Sequence, residues 1–117
     1  MGPHKNLLVW KKSMELTSEI YKVTRSFPRE ELFGLVSQMR RCVVSIPSNI
    51  AEGYGRSSNA EIVHFLHNSL GSSNELDTQL IISFNEGFLS AEDYERINSI
   101  NEEVNKMLIS LIYKRSN

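Results

Sequence analysis

The sequence predicts an all-α fold, an antiparallel up-down-up-down four-helix bundle. Apolar residues recur at alternating spacings of three and four along four segments, which is typical of one face of a helix. No segment alternates apolar and polar residues with a period of two, so we predict no strands. Only a few residues separate the four segments, and such short connections make successive helices run antiparallel.

Each predicted helix contributes one apolar stripe to the core. The first stripe consists of Val9, Leu16, Ile20, Val23 and Phe27, with Ser13 in the gap. The second consists of Leu32, Leu35, Met39, Val43, Ile46 and Ile50. The third consists of Ile62, Leu66, Ser69, Ser73, Leu76 and Leu80, and the fourth of Ile97, Ile100, Val104, Met107 and Leu111.

Capping residues mark where the helices begin and end. Pro28 stands where the first residue of the second helix is expected, because its fixed φ and missing N–H suit that position. The motifs SNAE (58–61) and SAED (90–93) have the spacing of capping boxes at the starts of the third and fourth helices. Gly87 is predicted to end the third helix in a left-handed conformation.

The stretch VSIPSNIAEGYGR (44–56) predicts a second helix that continues through Pro47 and is kinked there, because the apolar spacing does not stop at the proline. A proline inside a helix costs about 3 kcal/mol or more, since it has no N–H and crowds a carbonyl. Nearby polar side chains are expected to bond the freed backbone: Ser45, Ser48 and Asn49. The helix is predicted to end at Gly53 or Gly55 with a left-handed cap.

A second stripe of the same helix is small and polar: Arg41, Ser45, Ser48, Asn49 and Glu52. Two interpretations stay open, a solvated face and a buried polar network or subunit contact. On the third helix the run SLGSSNELDTQ (69–79) would allow another backbone to approach closely.

Two glutamates, Glu52 and Glu75, could form a carboxylate pair if the second and third helices brought them together. The favoured alternative is that each accepts hydrogen bonds or pairs with an arginine, for which Arg41 and Arg56 are candidates.

Length and composition indicate one globular domain over residues 1–117, with a flexible tail at 1–6 that is partly derived from cloning. The 117 residues are 40% hydrophobic and 23% charged, far from a disordered composition. The single cysteine, Cys42, excludes an intramolecular disulfide and suits a reducing compartment. The run LLVW is too short for a signal peptide or membrane span, so we expect a cytoplasmic protein without membrane contact.

One block of the chain resembles a known family. The segment FPREELFGLVSQMRRCVVSIPSNIAEGYGRSS (27–58), with GSSNELDTQL (71–80), is similar to the four-helix-bundle proteins encoded in intervening sequences of bacterial 23S ribosomal RNA genes. The accessory variability protein of diversity-generating retroelements is related to them. The resemblance extends from Leu8 to Ile112. One departure is Ser73, which stands where the family pattern has an apolar residue and where we expect looser packing.

The resemblance implies a homopentameric ring around a central channel, no enzymatic activity, and RNA or DNA as the expected ligand. A scaffold ring that docks a protein partner without touching nucleic acid is the alternative. Independently, residues 1–56 carry nine basic and five acidic residues (+4), whereas residues 57–117 carry four and nine (−5). Surfaces of opposite sign favour head-to-tail contacts, which close into rings when the rotation allows. The alternative is that these charges only solvate the bundle.

Basic residues of the first two helices are the candidates for nucleic-acid contacts: Lys11, Lys22, Arg25, Arg29, Arg40, Arg41 and Arg56. Glu15 and Glu19 interrupt this surface, and the pI of about 6.3 is low for a nucleic-acid binder. Trp10 and Tyr21 could stack on bases, although aromatic residues of small bundles more often belong to the core or an interface.

No motif predicts catalysis, a metal or a cofactor. Glu61 and His64 form one Glu-x-x-His, whereas di-iron bundles need two. Adding His67 still leaves all three ligands on one helix, which rarely makes a closed zinc site. The loop EGYGR (52–56) lacks the strand and third glycine of a dinucleotide-binding turn. Cys42 is expected to be an inert packed thiol.

Overall fold

The protein is a four-helix bundle, as predicted, measuring 43 × 22 × 20 Å. The computed structural model describes residues 2–116, so Met1 and Asn117, the two ends of the predicted domain, lie outside the described residues. Its helices are α1 (Leu8–Thr24), α2 (Ser37–Tyr54), α3 (Asn59–Asn85) and α4 (Ala91–Ser116). No strand occurs between residues 2 and 116. None of the helices in that range is both long enough and apolar enough to cross a bilayer.

Each helix packs on two others, α1 and α3 both lying against α2 and α4. The side-chain contacts between them are Thr24–Arg40 and Thr17–Val43 (α1–α2), Met39–Ser83 and Ile46–Ser69 (α2–α3), Asn59–Arg115 and Ser73–Asn101 (α3–α4), and Lys12–Glu103 and Glu19–Arg96 (α1–α4). In each contacting pair, a later residue of one helix meets an earlier residue of the other. Neighbouring helices are therefore antiparallel.

The core follows the predicted stripes most closely in α1 and α3, where every predicted position is buried. In α4 the last two predicted positions, Met107 and Leu111, are only half-buried. Leu108 is fully buried instead. The prediction was therefore wrong by one residue at the end of α4, where the 3.6-residue helical period departs from a strict three-and-four alternation.

The second helix begins later than predicted. Pro28 has a non-helical ψ of 141°, so it is not the first residue of a helix. A short 3-10 turn (Arg29–Glu31) and one π-helical segment (Leu32–Val36) follow it before α2 starts at Ser37. The prediction of a regular helix from Pro28 was wrong. Pro28 and the glutamates after it are signals for a helix start, and they carry no information about a break in the helix several residues later.

That break lies at Gly34, whose backbone (φ −110°, ψ −108°) leaves the helical region. The side chains before it are therefore not in register with α2. Leu32, predicted in the core, is 48% exposed, and Leu35 is half-buried. Val36, which the predicted stripe omitted, is buried in their place.

Helix α2 continues without interruption through Pro47, as predicted, while the bend there stays a prediction. In a regular helix the N–H of residue 47 would bond the carbonyl of Val43. The Thr17 hydroxyl of α1 lies 3.4 Å from that carbonyl, and 2.8 Å from a carbonyl of its own helix. Ser45 and Asn49 donate to other carbonyls. We expected side chains next to Pro47 to bond the carbonyl that the proline leaves free. For the Val43 carbonyl this was wrong, because the nearby donor is the Thr17 hydroxyl of α1.

The glycines at the end of α2 serve packing rather than a left-handed cap. Gly55 follows the last helical residue but has a φ of −87°, so the predicted left-handed cap is wrong. Gly53 lies inside the helix, where a Cβ would stand 2.8 Å from Phe65 Cβ and 3.3 Å from the Ile62 carbonyl oxygen. Glycine at this position lets α2 and α3 approach closely.

The other predicted helix boundaries are confirmed. The Ser58 hydroxyl oxygen accepts a hydrogen bond from the Glu61 N–H (3.2 Å), and that of Ser90 accepts one from the Asp93 N–H (3.0 Å). Gly87 ends α3 with a φ of 79°. Within the predicted tail, Pro3–Asn6 form a single 3-10 turn.

The small residues of α3 pack against helices of the same chain. Ser69 and Ser73 are fully buried, and the Ser69 hydroxyl donates to the Ile46 carbonyl of α2 at 2.7 Å. Gly71 faces open space, with no atom within 4 Å of a Cβ placed there. Close approach to α3 therefore occurs inside the bundle along its serine face.

Candidate nucleic-acid interface

Four of the seven predicted basic residues are brought together beside the connection between α1 and α2. Two adjoining hollows, of about 480 and 360 Å³, share Leu32, Val36 and Arg40. The larger is lined by Tyr21, Leu32, Phe33, Val36, Ser37, Arg40, Arg41 and Val44. The smaller is lined by Thr24, Arg25, Phe27, Pro28, Arg29, Leu32, Val36 and Arg40. We call this region the arginine surface; its four arginines are Arg25, Arg29, Arg40 and Arg41.

Arg40 is the fixed member of the arginine surface. Its Nε donates to the Thr24 hydroxyl at 3.0 Å, and its guanidinium lies 4.7 Å from the centre of the Tyr21 ring. The Thr24 hydroxyl in turn donates to the Ile20 carbonyl at 2.6 Å. Because stacking and hydrogen bonds hold the guanidinium in place, little side-chain entropy remains for Arg40 to lose when it meets an anion.

The other three arginines are exposed and unpaired. Arg25 caps the end of α1, Arg29 lies in the 3-10 turn and Arg41 in the second turn of α2. Among residues 2–116, none of the arginine surface's four guanidinium groups forms an ion pair, and no carboxylate lines either hollow. Their charges are therefore not neutralised within the described chain.

The three remaining candidates lie elsewhere. Lys22 lies 3.7 Å from the Glu19 carboxylate, on the side of α1 that faces α4. Arg56 follows α2 at the opposite end of the bundle, where it pairs with Glu52 at 2.7 Å. Lys11 is exposed and lines neither hollow. The structure thus does not join these three to the arginine surface.

Phe33 is the residue of this surface that sequence reasoning missed. It is 91% exposed and lines the larger hollow, whereas Trp10 and Tyr21, the aromatics considered from sequence, are half-buried against the core. An apolar residue beside Leu32 and Leu35 looks like part of a core stripe. Only the non-helical backbone at Gly34 turns it outward, and the glycine was the one available signal.

The predicted polar residues of α2 divide between structural contacts and solvent. The Ser45 hydroxyl donates to the Cys42 carbonyl (2.6 Å) and contacts Ser72 of α3, and Asn49 Nδ2 donates to the Ser45 carbonyl at 2.8 Å. Ser48, like Arg41, is exposed. The stripe is therefore partly a polar contact between α2 and α3 and partly a solvated face.

The two glutamates are each bonded within their own helix region. Glu52 pairs with Arg56, and Glu75 Oε2 accepts a hydrogen bond from Gln79 Nε2 at 3.1 Å. No contact between Glu52 and Glu75 is formed in the described chain. This arrangement is the one the sequence favoured over a carboxylate pair.

Cys42 is buried against α3, as expected for an inert thiol. Its Sγ–H donates to the Ser72 carbonyl at 3.0 Å. Burial, with a smaller contribution from the negative charge of Glu75, raises the pKa of the Cys42 thiol to about 12. The thiol is therefore protonated and a weak nucleophile at neutral pH.

The Glu-x-x-His motif stays on the surface. Glu61, His64 and His67 are all exposed, and the His64 ring packs edge-on against Phe65 at 5.3 Å. Over residues 2–116, no group of three or more His, Cys, Asp or Glu side chains has an arrangement that could hold a metal ion.

A polar hollow of about 350 Å³ lies between α3 and α4, on the acidic half of the chain. It is lined by Asn74, Asp77, Asn98, Asn101, Glu102, Asn105 and Lys106. Asn98 Oδ1 is buried there without a hydrogen-bond partner in the described part of the chain. This surface differs from the arginine surface in both charge sign and the absence of large apolar side chains.

Comparisons with known proteins agree with the resemblance seen in the sequence. A model of the 23S rRNA-intervening sequence protein family matches residues 5–110. A crystal structure from Bacteroides thetaiotaomicron VPI-5482, described as a protein with unknown function from the S23 ribosomal protein family, has a TM-score of 0.84 to this chain. The two sequences are 31% identical, over 91% of this chain and 96% of that chain. No curated protein matches the chain.

Proposed function

The chain belongs to the 23S rRNA-intervening sequence protein family, and from that premise we propose that it is a non-enzymatic, self-assembling bundle that binds RNA or DNA through its arginine surface. The observation that carries the proposal is the group of four arginines without carboxylate partners among the described residues. Elsewhere in the bundle, Lys12, Lys22, Arg56 and Arg96 each lie within ion-pair distance of an acidic side chain.

Binding of this kind depends on charge and shape rather than on base sequence. Arginines that meet phosphates release condensed counterions, so the affinity falls steeply with salt concentration. One protomer offers a modest patch, whereas a ring of protomers repeats it and raises the total number of phosphate contacts. Assembly and nucleic-acid binding therefore support each other.

Self-assembly is supported by the unequal charge of the two halves of the bundle. The arginine surface lies on α1 and α2, and the hollow containing Asp77 and Glu102 lies between α3 and α4. Contact between unlike surfaces of successive copies is head-to-tail and closes into a ring when the rotation allows. We propose a ring of five, the number that the family resemblance implies. A cytoplasmic location fits the single, buried Cys42.

The mass of the particle tests the assembly. Light scattering at low salt should give about five times the 13.4 kDa of the chain. A monomer mass under these conditions would exclude the ring.

Binding is tested by titrating structured RNA and DNA with the protein at two salt concentrations. Wild type should bind more weakly at the higher salt, and Arg25→Gln/Arg29→Gln/Arg41→Gln should weaken binding and lower the salt slope by about one per contacting arginine. The matched control, Lys11→Gln/Lys22→Gln/Arg56→Gln, removes the same charge outside the arginine surface and should bind like wild type. No binding by wild type even at low salt would refute the function.

A protein scaffold is the second candidate, and exposed apolar side chains favour it. Phe33, Tyr113 and Leu8 are 91%, 72% and 61% exposed, and such residues often mark protein contacts. Purifying the protein's partners before and after nuclease treatment separates the two functions. A protein partner that remains after complete removal of nucleic acid supports the scaffold.

A further inference from the structure

Phe33 presents a bare aromatic ring on the arginine surface, in the larger of its two hollows. With 91% of its surface exposed, it is the most exposed large apolar residue of the described chain. Within residues 2–116 its ring makes no stacking or cation–π contact, unlike Tyr21, which lies under Arg40. Burying an apolar ring is favourable, and folding of this chain leaves the Phe33 ring in water.

Two acidic residues, Glu30 and Glu31, lie in the 3-10 turn before Phe33 but outside both hollows. Glu31 Oε1 accepts a hydrogen bond from the Leu35 N–H at 3.3 Å. Glu30 is exposed in the same turn, and neither glutamate lines a hollow. Phe33 shares its hollow with Arg40 and Arg41, and Arg25 and Arg29 line the adjoining hollow.

This combination matches the chemistry of an unpaired nucleotide. Bases stack on exposed aromatic rings whatever their identity, and arginines hold the adjacent phosphates with paired N–H···O bonds. In a duplex both faces of a base are covered by its neighbours, so the ring of Phe33 has nothing to stack on.

We propose that Phe33 is a stacking site for an unpaired base and that the four arginines of the arginine surface hold the flanking phosphates, so that the ligand is single-stranded nucleic acid. The inference rests on the proposed function and adds to it the class of nucleic acid and one further binding residue.

The test compares a single-stranded oligonucleotide with a duplex of equal length, both fluorescently labelled, at low salt. Wild type should bind the single strand more tightly than the duplex. Phe33→Ala should weaken single-strand binding about 5- to 150-fold, the effect of losing one stacked base, and leave duplex binding unchanged. Phe33→Trp keeps a ring and should bind like wild type.

A matched control, Tyr113→Ala, removes another exposed aromatic ring, on α4, and should leave both affinities unchanged. Since Phe33 is almost fully exposed, Phe33→Ala should also keep the wild-type melting temperature and particle mass.

Two outcomes would overturn the inference while leaving the proposed function intact. One is a Phe33→Ala protein that binds the single strand as tightly as wild type. The other is a loss of assembly in Phe33→Ala, which would make Phe33 a contact between copies of the chain. If wild type binds neither oligonucleotide, the proposed function itself fails, and the inference fails with it.

Discussion

Ser73 of α3 and Asn101 of α4 are joined by two buried hydrogen bonds. The Ser73 hydroxyl donates to Asn101 Oδ1 at 2.9 Å, and Asn101 Nδ2 donates to the Ser73 carbonyl at 3.1 Å. Both residues are at most 2% exposed. From the family resemblance we expected an apolar residue in place of Ser73, and looser packing there. A fully buried, hydrogen-bonded serine occupies the position instead, because α4 supplies a matching amide.

A double-mutant cycle measures this pair. Ser73→Ala and Asn101→Leu should each lower the free energy of unfolding by about 1–3 kcal/mol, because each leaves a buried polar group unpaired. The double variant should lose about 0.5–3 kcal/mol less than the sum of the two single losses. Urea unfolding followed by circular dichroism measures these free energies. Asn68→Ala, an exposed position on α3 outside this network, is the control and should change stability by less than about 0.5 kcal/mol. Strict additivity of the two substitutions would contradict a direct interaction.

Gly53→Ala should destabilise the protein through overpacking. The added Cβ would stand 2.8 Å from Phe65 Cβ, so α2 and α3 would have to separate. We expect the free energy of unfolding to fall by about 1–3 kcal/mol. Gly71→Ala is the matched control in α3, where no atom lies within 4 Å of the new Cβ. It should stabilise the helix by about 0.5–1 kcal/mol, so an equal gain at both glycines would refute the close-contact explanation.

Thr17→Val should lower the free energy of unfolding, because Pro47 has no N–H to bond the Val43 carbonyl that the Thr17 hydroxyl reaches. Removing the hydroxyl leaves the Val43 carbonyl without the donor that reaches it from α1, and we expect a loss of about 1 kcal/mol. Thr17→Ser keeps a hydroxyl and serves as the control. In a Pro47→Ala background the restored N–H can bond Val43 along the helix, so Thr17→Val should cost less there. Thermal unfolding of the four combinations checks this, and an equal cost in both backgrounds would rule out the link between Thr17 and Pro47.

Stability should depend on Cys42 at high pH. Burial and the charge of Glu75 raise the pKa of its thiol from 9.0 to about 12, so between these values the unfolded chain loses a proton that the folded chain keeps. The raised pKa contributes fully to the free energy of unfolding below pH 9. As the pH rises from 9 towards 12, the free energy of unfolding falls by up to about 1.4 kcal/mol per pH unit. Cys42→Ala should show a shallower decline in this range. Iodoacetamide at pH 8 should label the native thiol far more slowly than the unfolded one, and equal labelling rates would contradict its burial.

Local sequence signals were sufficient at three of the helix boundaries. Ser58, Ser90 and Gly87 mark helix boundaries through the backbone of their own segments, and all three occupy the predicted cap positions. Apolar periodicity likewise determined which faces of α1 and α3 are buried, since a helical face is a property of spacing alone.

The candidate site was predictable only in part. Arg25, Arg29, Arg40 and Arg41 are close in sequence and lie on one surface. Arg56 lies at the opposite end of the bundle, and Lys22 lies on the side of α1 that faces α4. Charge counts along the chain do not show where on the bundle each side chain lies, because that position depends on how the helices pack.

The sequence by itself determined the fold class, the faces of most helices and the family, because each is encoded in spacing and in a continuous motif. Only the tertiary structure decided the exposure of Phe33, the bond from Thr17 to Val43, and the burial of Ser73 against Asn101. In the first case a backbone break at Gly34 turns the side chain outward. In the other two the partner lies on another helix, 26 and 28 residues away, and only packing of the bundle brings it within hydrogen-bond distance.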